Sequence, residues 1–426
     1  MKKIHFIGIG GIGMSALAQM MQHVGAEVTG SDRDASPVTT LLEQKGIHVM
    51  IGQKAENVPE SADVAVYSDA VPVDNPERAR AAELGITQLS YFAMLGQVSE
   101  GKKTVAVAGT HGKTTVTGML AKILVDAGAE PTAIIGSLVK DFGSNYIAGE
   151  SDLFVVEACE YRDHLLELSP KVLVLNNIEW DHTDYFPSLE ALQKTFKKAI
   201  ERVPADGAII TNPSNHKIAS LLTNAKAPVI DYTKEPAYEL KMIGEFNQEN
   251  ARAAAAAARV ILPGISDSAI SQSLADFHGT WRRFEYKGKS ARGAEVYDDY
   301  AHHPTAVKET LHALREKIRK VSPRLYVAFH PHLYSRTRDL LDEFATAFSD
   351  ADKVFIAPIF AAREADDGTI SSEILAERIR ATGVDATALD SFDAIKDALS
   401  EAGEGDVIMT MGAGDIYKVA DALVRK

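Results

Sequence analysis

Short apolar runs alternate along this chain with longer stretches that carry apolar residues at helical spacing. Most of the short runs stop at a glycine or a polar cluster. That texture predicts α/β structure with mostly parallel sheets, because parallel strands are covered on both faces and joined by helices. The clearest run is Val105-Ala-Val-Ala108 into Gly109-Thr-His-Gly-Lys-Thr-Thr115, followed by the helix-like Thr117-Gly-Met-Leu-Ala-Lys-Ile-Leu124. Strand, glycine loop and helix in that order predict a phosphate-binding loop. Amides at a helix start face phosphate oxygens, and the helix dipole favours their charge. Lys113 is placed to reach the β- and γ-phosphates, and the Thr114 hydroxyl to meet Mg²⁺. The loop is a shortened form, with Val107 where the general pattern has its first glycine. Gly109, Thr110, His111, Gly112, Lys113, Thr114 and Thr115 are the candidate nucleotide-binding residues.

A second glycine loop opens the chain. The strand Ile4-His-Phe-Ile7 enters Gly8-Ile-Gly10-Gly11-Ile12-Gly13-Met-Ser15, and the strand Val28–Ser31 ends on Asp32, about where a nucleotide-binding unit holds a ribose hydroxyl. The loop predicts a pyrophosphate-bearing ligand, with NAD the default and a UDP-linked ligand the rival. A third strand, Val64–Tyr67, ends at Ser68, and Ile86–Leu89 reads as a fourth.

A polar stretch at Val98–Lys103 marks a first domain boundary. Beyond the phosphate loop come strands at Asp152–Glu157, Val172–Asn176 and Ala208–Thr211, and an alanine-rich helix at Asn250–Val260. The texture changes again after Arg282-Arg283-Phe-Glu285. A strand leads into Asp298-Asp299-Tyr300-Ala-His302-His303-Pro304, then a helix from about Thr305 to Arg319. Strands follow at Leu325–Phe329, Lys353–Ala357 and Val407–Thr410. The expected fold is therefore α/β in three domains. Residues 1–98 form an N-terminal Rossmann-like domain, 99–285 a central P-loop ATPase-type parallel sheet, and 286–426 a C-terminal Rossmann-like domain.

Composition narrows the function. A chain of 426 residues exceeds one ordinary core, and 46% hydrophobic with 24% charged residues is the balance of a soluble globular protein. A net charge of −14 argues against nucleic acid as the partner. The single cysteine, Cys159, forbids an internal disulfide and fits the cytoplasm. Lys2-Lys3, an apolar run and Ala16-Leu-Ala18 imitate a signal peptide, but the run is broken by glycines in phosphate-loop spacing. No segment approaches the roughly 20 apolar residues that span a bilayer, so no membrane partner is expected.

The polar strand ends carry the candidate chemistry. Glu157, Asp181 and His182 follow strands of the phosphate-loop sheet, where a nucleotide's Mg²⁺ is held; Thr114 and Glu157 suit that ion, and His182 fits a second metal position. Asp299, His302, His332 and Arg336 end strands of the third domain. One loop for a nucleotide-linked ligand, another for a nucleoside triphosphate and a third domain to close over them suggest phosphoryl transfer from ATP to the first ligand.

The chain resembles the Mur ligases of peptidoglycan synthesis over essentially its whole length. The resemblance rests on Gly8–Ser15, Gly109–Thr115, Glu157-Ala-Cys-Glu160, Asn177-Ile-Glu-Trp-Asp-His182, Gly244-Glu-Phe-Asn-Gln-Glu-Asn250, Arg282-Arg-Phe284, Asp298–Pro304 and His330-Pro-His-Leu-Tyr-Ser-Arg-Thr337. It implies a ligase of the branch that joins L-alanine to the carboxylate of UDP-N-acetylmuramate through an acyl phosphate formed from ATP. It further implies Mg²⁺, with Mn²⁺ as the alternative, a cytoplasmic monomer or homodimer, and closure of the third domain to exclude water. By resemblance, Lys113 holds ATP phosphates, and Thr114, Glu157 and His182 are metal positions. Asn247, Asn250, Arg283 and Asp299 hold the nucleotide. The loop at Gly10, Gly11, Ile12, Gly13 and Ser15, with Asp32 and Ser68, takes the UDP-sugar rather than NAD. Tyr300, His302, His332 and Arg336 gather near the reacting carboxylate and the amino acid. His302 or His332 is the expected base, and Arg336 the expected grip on the alanine carboxylate.

Three positions depart from the family pattern. Phe246 replaces a usual His, Cys159 a frequent Asp, and Phe196 stands where some relatives carry a carbamylated lysine, so that modification is not expected despite nearby Lys194 and Lys197. The nearest rival, a ligase recycling whole muropeptides onto the same UDP-sugar, lacks the run matched by residues 330–337. An NAD-dependent oxidoreductase leaves the phosphate loop without a purpose.

Overall fold

Five parallel strands build the first sheet: β1 (Lys3–Ile7), β2 (Glu27–Asp32), β3 (His48–Ile51), β4 (Val64–Tyr67) and β5 (Thr87–Ser90), in the order β3-β2-β1-β4-β5. In the computed structural model, which describes residues 1–319 and 323–424, Ile4 of β1 pairs with Val28 on one side and Val64 on the other. The strand order reverses between β1 and β4, so the loop from Gly8 lies at the switch point, where open parallel sheets bind ligands. The helix Ile12–His23 follows it, burying Met14, Leu17 and Met21 at helical spacing.

The second sheet takes β6 (Lys103–Ala108), β7 (Thr132–Val139), β8 (Ser144–Ile147), β9 (Leu153–Glu157), β10 (Val172–Leu175), β11 (Ala208–Thr211) and β12 (Val229–Asp231). Its order is β12-β11-β10-β6-β9-β7-β8, parallel except for the β7–β8 hairpin. The two sheets belong to one compact unit, formed by Met1–Ile178, Gln193–Pro236 and Ala251–Phe277. Asn145 of β8 is one of its internal ties. Its side-chain amide donates to the Ile12 carbonyl at 2.6 Å and to the Ser15 hydroxyl at 3.0 Å, and its oxygen accepts from Gln19 at 3.2 Å.

The other unit comprises Glu179–Leu192, Ala237–Asn250 and His278–Lys426. Its sheet is built from β13 (Glu285–Lys289), β14 (Glu295–Asp299), β15 (Leu325–Phe329), β16 (Lys353–Ile356), β17 (Asp385–Ala388) and β18 (Val407–Met411), in the order β13-β14-β18-β15-β16-β17. Only the β13–β14 pair is antiparallel. Alternation along the central strands covers both faces. Val327, Phe329, Met409 and Met411 pack with Leu311, Phe344 and Phe348. Tyr326, Ala328 and Ile408 pack with Ile395, Leu399 and Ile416.

Every strand expected from the sequence is present, and the helix expected from Thr305 runs Pro304–Ile318, with Pro304 at its start and the His303 side chain accepting from Thr305 N–H. Six strands, β3, β7, β8, β12, β13 and β17, were not expected. Five of these lie at a sheet edge with short or half-exposed sequences such as His-Val-Met-Ile and Asp-Ala-Thr-Ala, which lack the two-sided apolar signal. The other, β7, is apolar but interrupted by Gly136. Phe196 is fully buried within the helix Leu189–Arg202. Among the described residues no helix is long and apolar enough to cross a membrane.

Candidate active site

The phosphate loop is a tight backbone feature held from behind. Strand β6 runs into Gly109 at φ 126°, where a Cβ would press within 3.0 Å of the Asn177 backbone, and Gly112 takes the left-handed conformation at φ 82° as the N-cap of the helix Lys113–Asp126. Glycine alone adopts both without cost. Asn177 buttresses the loop: its side-chain oxygen accepts from His111 N–H at 2.8 Å, its amide donates to the His111 carbonyl at 3.2 Å, and its own carbonyl accepts from Thr110 N–H at 3.1 Å.

Because β9 neighbours β6, its end delivers two carboxylates to the loop. Lys113 Nζ donates to Glu160 at 3.0 Å and to the Gly109 and Thr110 carbonyls at 2.5 and 3.2 Å. Burial would lower the Lys113 pKa, but the Glu160 charge overrides it and holds the ammonium above its ordinary value. Thr114 Oγ1 donates to Glu157 at 3.1 Å, and the other Glu157 oxygen accepts from Gly136 N–H at 2.5 Å. Gly136 is glycine for a visible reason: a Cβ there would lie 2.6 Å from the Glu157 carboxylate. A hydroxyl and a carboxylate at the head of a phosphate loop are hard oxygen donors of the type Mg²⁺ takes. Cys159, between the two carboxylates, is pushed up to about 12 by burial and by Glu160, so its thiol stays protonated and inert.

At the switch point of the first sheet, Gly8 adopts φ 83°, and the Gly8 and Ile9 amides donate to the Ser31 carbonyl. Asp32 accepts from Gly10 N–H at 2.8 Å, so this carboxylate shapes the glycine loop directly. Ser68, at the end of β4, comes within 3.2 Å of where a Gly8 Cβ would stand. Gly10, Gly11, Ile12 and Gly13 form the turn and the helix start. Ser15 takes a different place from the one its motif implied. It is 1% exposed, and its hydroxyl is shared between the Ile12 carbonyl and Asn145, between helix and β8 rather than at the loop's mouth.

In the other unit, the turn after β14 is fixed by two aspartates. Arg282 donates to Asp298 at 2.7 Å and to the Gly412 and Gly414 carbonyls at 2.7 and 2.8 Å. Burial lifts Asp298 to about 6 against the pull of Arg282. Asp299 accepts from the Phe284 and Ala301 amides at 2.6 and 2.7 Å, bracing the segment that carries Tyr300 and His302, and burial raises its pKa despite Arg283. Arg283 lies over the Tyr300 ring, 5.0 Å from its centroid. Asn247 and Asn250 pair with each other at 3.3 Å, and Asn247 donates to the Ile243 carbonyl at 2.7 Å. Phe246 folds against Gly244, whose φ is 95°.

His302 and His332 lie with ring centroids 5.8 Å apart. Arg336 is 1% exposed and turned inward: Nε and Nη2 donate to one Asp181 oxygen at 2.8 and 2.7 Å, and Nη1 donates to His332 Nδ1 at 2.9 Å. This differs from the open grip on a carboxylate expected from its motif, because each guanidinium nitrogen already has a partner. Burial alone would raise Asp181, yet Arg336 and then His182 hold it well below the usual carboxylate range. Burial and the Arg336 charge depress both imidazoles, His302 strongly and His332 to about 3. His182 has a left-handed backbone, φ 52°, and its amide donates to Asp181 at 2.6 Å. A non-glycine residue held there is the kind of backbone cost found at functional positions. Asn177, Glu160 and Gly136 were not among the expected site residues, and Asp181, expected where the nucleotide's metal is held, is instead paired with Arg336. Asn177 and Glu160 sat inside quoted motifs, but only the fold supplies their partners.

A loop shaped for phosphates, a lysine and a hydroxyl each set against a carboxylate, and a second nucleotide-type loop on a neighbouring sheet are the equipment of an ATP-dependent ligase. Domain models agree along the chain: the Mur ligase family catalytic domain matches residues 3–103, the Mur ligase middle domain 107–238, and the Mur ligase glutamate ligase domain 282–414. The chain belongs to the Mur ligase family. It is 40% identical to the UDP-N-acetylmuramate–L-alanine ligase of Acetivibrio thermocellus, covering 100% of this chain and 96% of that one. Its fold is similar to the crystal structure of the UDP-N-acetylmuramate-alanine ligase of Thermotoga maritima, with TM-score 0.81, 26% identity and coverage of 100% and 98%. The murein peptide ligase of Psychrobacter arcticus is similar at TM-score 0.76 and 25% identity, with 100% of both chains covered.

Proposed function

We propose that this protein joins L-alanine to the lactyl carboxylate of UDP-N-acetylmuramate at the expense of ATP, in the cytoplasmic assembly of peptidoglycan precursors. The observation that carries the reading is the pairing of Lys113 with Glu160 and of Thr114 with Glu157 at one phosphate loop. Likeness over the full chain to alanine-adding ligases supports the choice of substrates.

A carboxylate does not react with an amine at neutral pH, because its leaving group is an oxide. Attack of the muramate carboxylate on the γ-phosphate gives an acyl phosphate and ADP, and the alanine amine then displaces phosphate. Lys113 and the loop amides stabilise charge on the transferring phosphoryl group. Thr114 and Glu157 would hold Mg²⁺, which would supply charge neutralisation on the phosphates. His182, in the other unit, is assigned to a separate metal position. Residues 1–98 take the UDP-sugar at Gly10–Gly13, Asp32 and Ser68; residues 99–285 take ATP; residues 286–426 take the amino acid.

The test is ADP release with UDP-N-acetylmuramate and L-alanine, glycine, L-serine or a muropeptide-derived tripeptide. L-alanine should give the highest kcat/KM. Preference for the tripeptide would overturn the assignment in favour of muropeptide recycling.

A further inference from the structure

The two imidazoles of the second unit are held in opposite tautomers, and the protein's own hydrogen bonds decide which. A guanidinium can only donate, so His332 Nδ1, 2.9 Å from Arg336 Nη1, must be the bare nitrogen and the ring proton sits on Nε2. A carbonyl can only accept, so His302 Nδ1, 2.9 Å from the Tyr300 oxygen, must carry the proton and Nε2 holds the lone pair. The first assignment has a cause one residue further back. Arg336 is steered by Asp181, whose single oxygen takes two of its N–H groups at 2.7 and 2.8 Å. The second is fixed by the Asp299-braced turn that places the Tyr300 carbonyl.

We propose that His332 is a fixed N–H donor to the carboxylate of the incoming amino acid, that His302 is the proton acceptor for its amine, and that Asp181 is the positioning residue which, through Arg336, sets the His332 tautomer. This rests on the reading of the protein as an amino-acid-adding ligase. As the amine attacks the acyl phosphate, the N–C bond forms and the nitrogen's surplus proton passes to His302 Nε2. The C–O bond then breaks, and phosphate leaves with the electron pair. A donor cannot take that proton, so His332 is excluded from the role that its place beside His302 invites. Arg336 acts as a second step back from the substrate: its positive charge favours an anion at His332 Nε2–H while its nitrogens stay occupied.

The test has two arms on the full-length enzyme. Long-range ¹H–¹⁵N correlation of histidine-labelled protein should show His332 protonated on Nε2 and His302 on Nδ1. In Asp181→Asn the His332 signal should shift to a mixture of tautomers, and the KM for L-alanine should rise at least tenfold with the KM for ATP unchanged. Glutamine keeps an N–H near the position of Nε2, so His332→Gln should retain activity within about tenfold, whereas His332→Ala should raise the L-alanine KM by tenfold or more. His302→Gln should lower kcat by about 10²-fold or more, the scale of a lost general base, with the L-alanine KM little changed. His332 protonated on Nδ1 in the wild type, a tautomer indifferent to Asp181→Asn, or His302→Gln with near-normal kcat would each overturn the proposal. The wild-type enzyme is assayed alongside. If it releases ADP with no amino acid at all, the ligase reading fails while the tautomer measurement still stands by itself.

Discussion

Lys113 and Glu160 form an ion pair at 3.0 Å inside the phosphate loop, with the Glu160 side chain 1% exposed. The lysine proposed to meet phosphate charge in turnover is thus already neutralising a buried carboxylate. Lys113→Met should lower kcat at least ~10²-fold, the scale of one preorganised electrostatic contact. It should also cost about 3–5 kcal/mol of stability by stranding the carboxylate. Urea titration of Lys113→Met/Glu160→Gln should recover most of that loss with no return of activity. A double variant no more stable than the single one would refute the pairing as the cause.

Gly136 reports on the Glu157 carboxylate from behind. Gly136→Ala would place a methyl carbon 2.6 Å from a carboxylate oxygen and remove its room beside the Gly136 amide. The Mg²⁺ concentration for half-maximal ADP release should rise about 10- to 100-fold, the usual cost of disturbing a ligand's supporting contacts. An unchanged Mg²⁺ requirement would separate Glu157 from the metal.

Asp32 holds Gly10 N–H at 2.8 Å, so its effect should appear as altered loop shape. Asp32→Ala should raise the KM for UDP-N-acetylmuramate by about 10- to 100-fold, from a lost charge-assisted bond of roughly 1.5–3 kcal/mol, and leave the ATP KM alone. Calorimetry of the wild type should show saturable binding of the UDP-sugar and none of NAD. Tight NAD binding would reverse the assignment of this loop.

His330 packs between Phe360 and Phe392, and burial, with Arg282 opposing Asp415, lowers its pKa to about 4. Its folded pKa lies below the unfolded value of about 6.5, so the unfolded chain binds the proton more readily. This contribution is complete above the unfolded pKa and is lost as pH falls from about 6.5 towards 4. Between pH 7 and 5 it should amount to about 2 kcal/mol. His330→Leu should flatten the urea stability profile over that range. A variant profile parallel to the wild type would remove His330 as the cause.

The strands that read clearly from sequence, such as Val105–Ala108 and Val172–Leu175, are covered on both faces, so their composition alone marks them. Edge strands share their burial with solvent, and their identity depends on which neighbour they meet. The same division runs through the site. Lys113 and Thr114 announce themselves because loop, strand and helix are contiguous. Asp181 read as a strand-end carboxylate of the phosphate-loop sheet because its partner, Arg336, lies 155 residues away. Ser15 looked like a loop residue because its motif is local, while the amide that claims its hydroxyl comes from β8.

The path of the chain between its two units also bears on how such enzymes exchange parts. It crosses at 178/179, 192/193, 236/237, 250/251 and 277/278, so the unit carrying the imidazoles borrows two short inserts from the middle of the sequence. A chimera that swaps only residues from 278 onward for those of a relative takes Arg336 and His332 from one parent and Asp181 from the other. On the roles proposed for these residues, recombination that preserves amino-acid choice must carry the insert 179–192 together with the C-terminal segment, as a single heritable block.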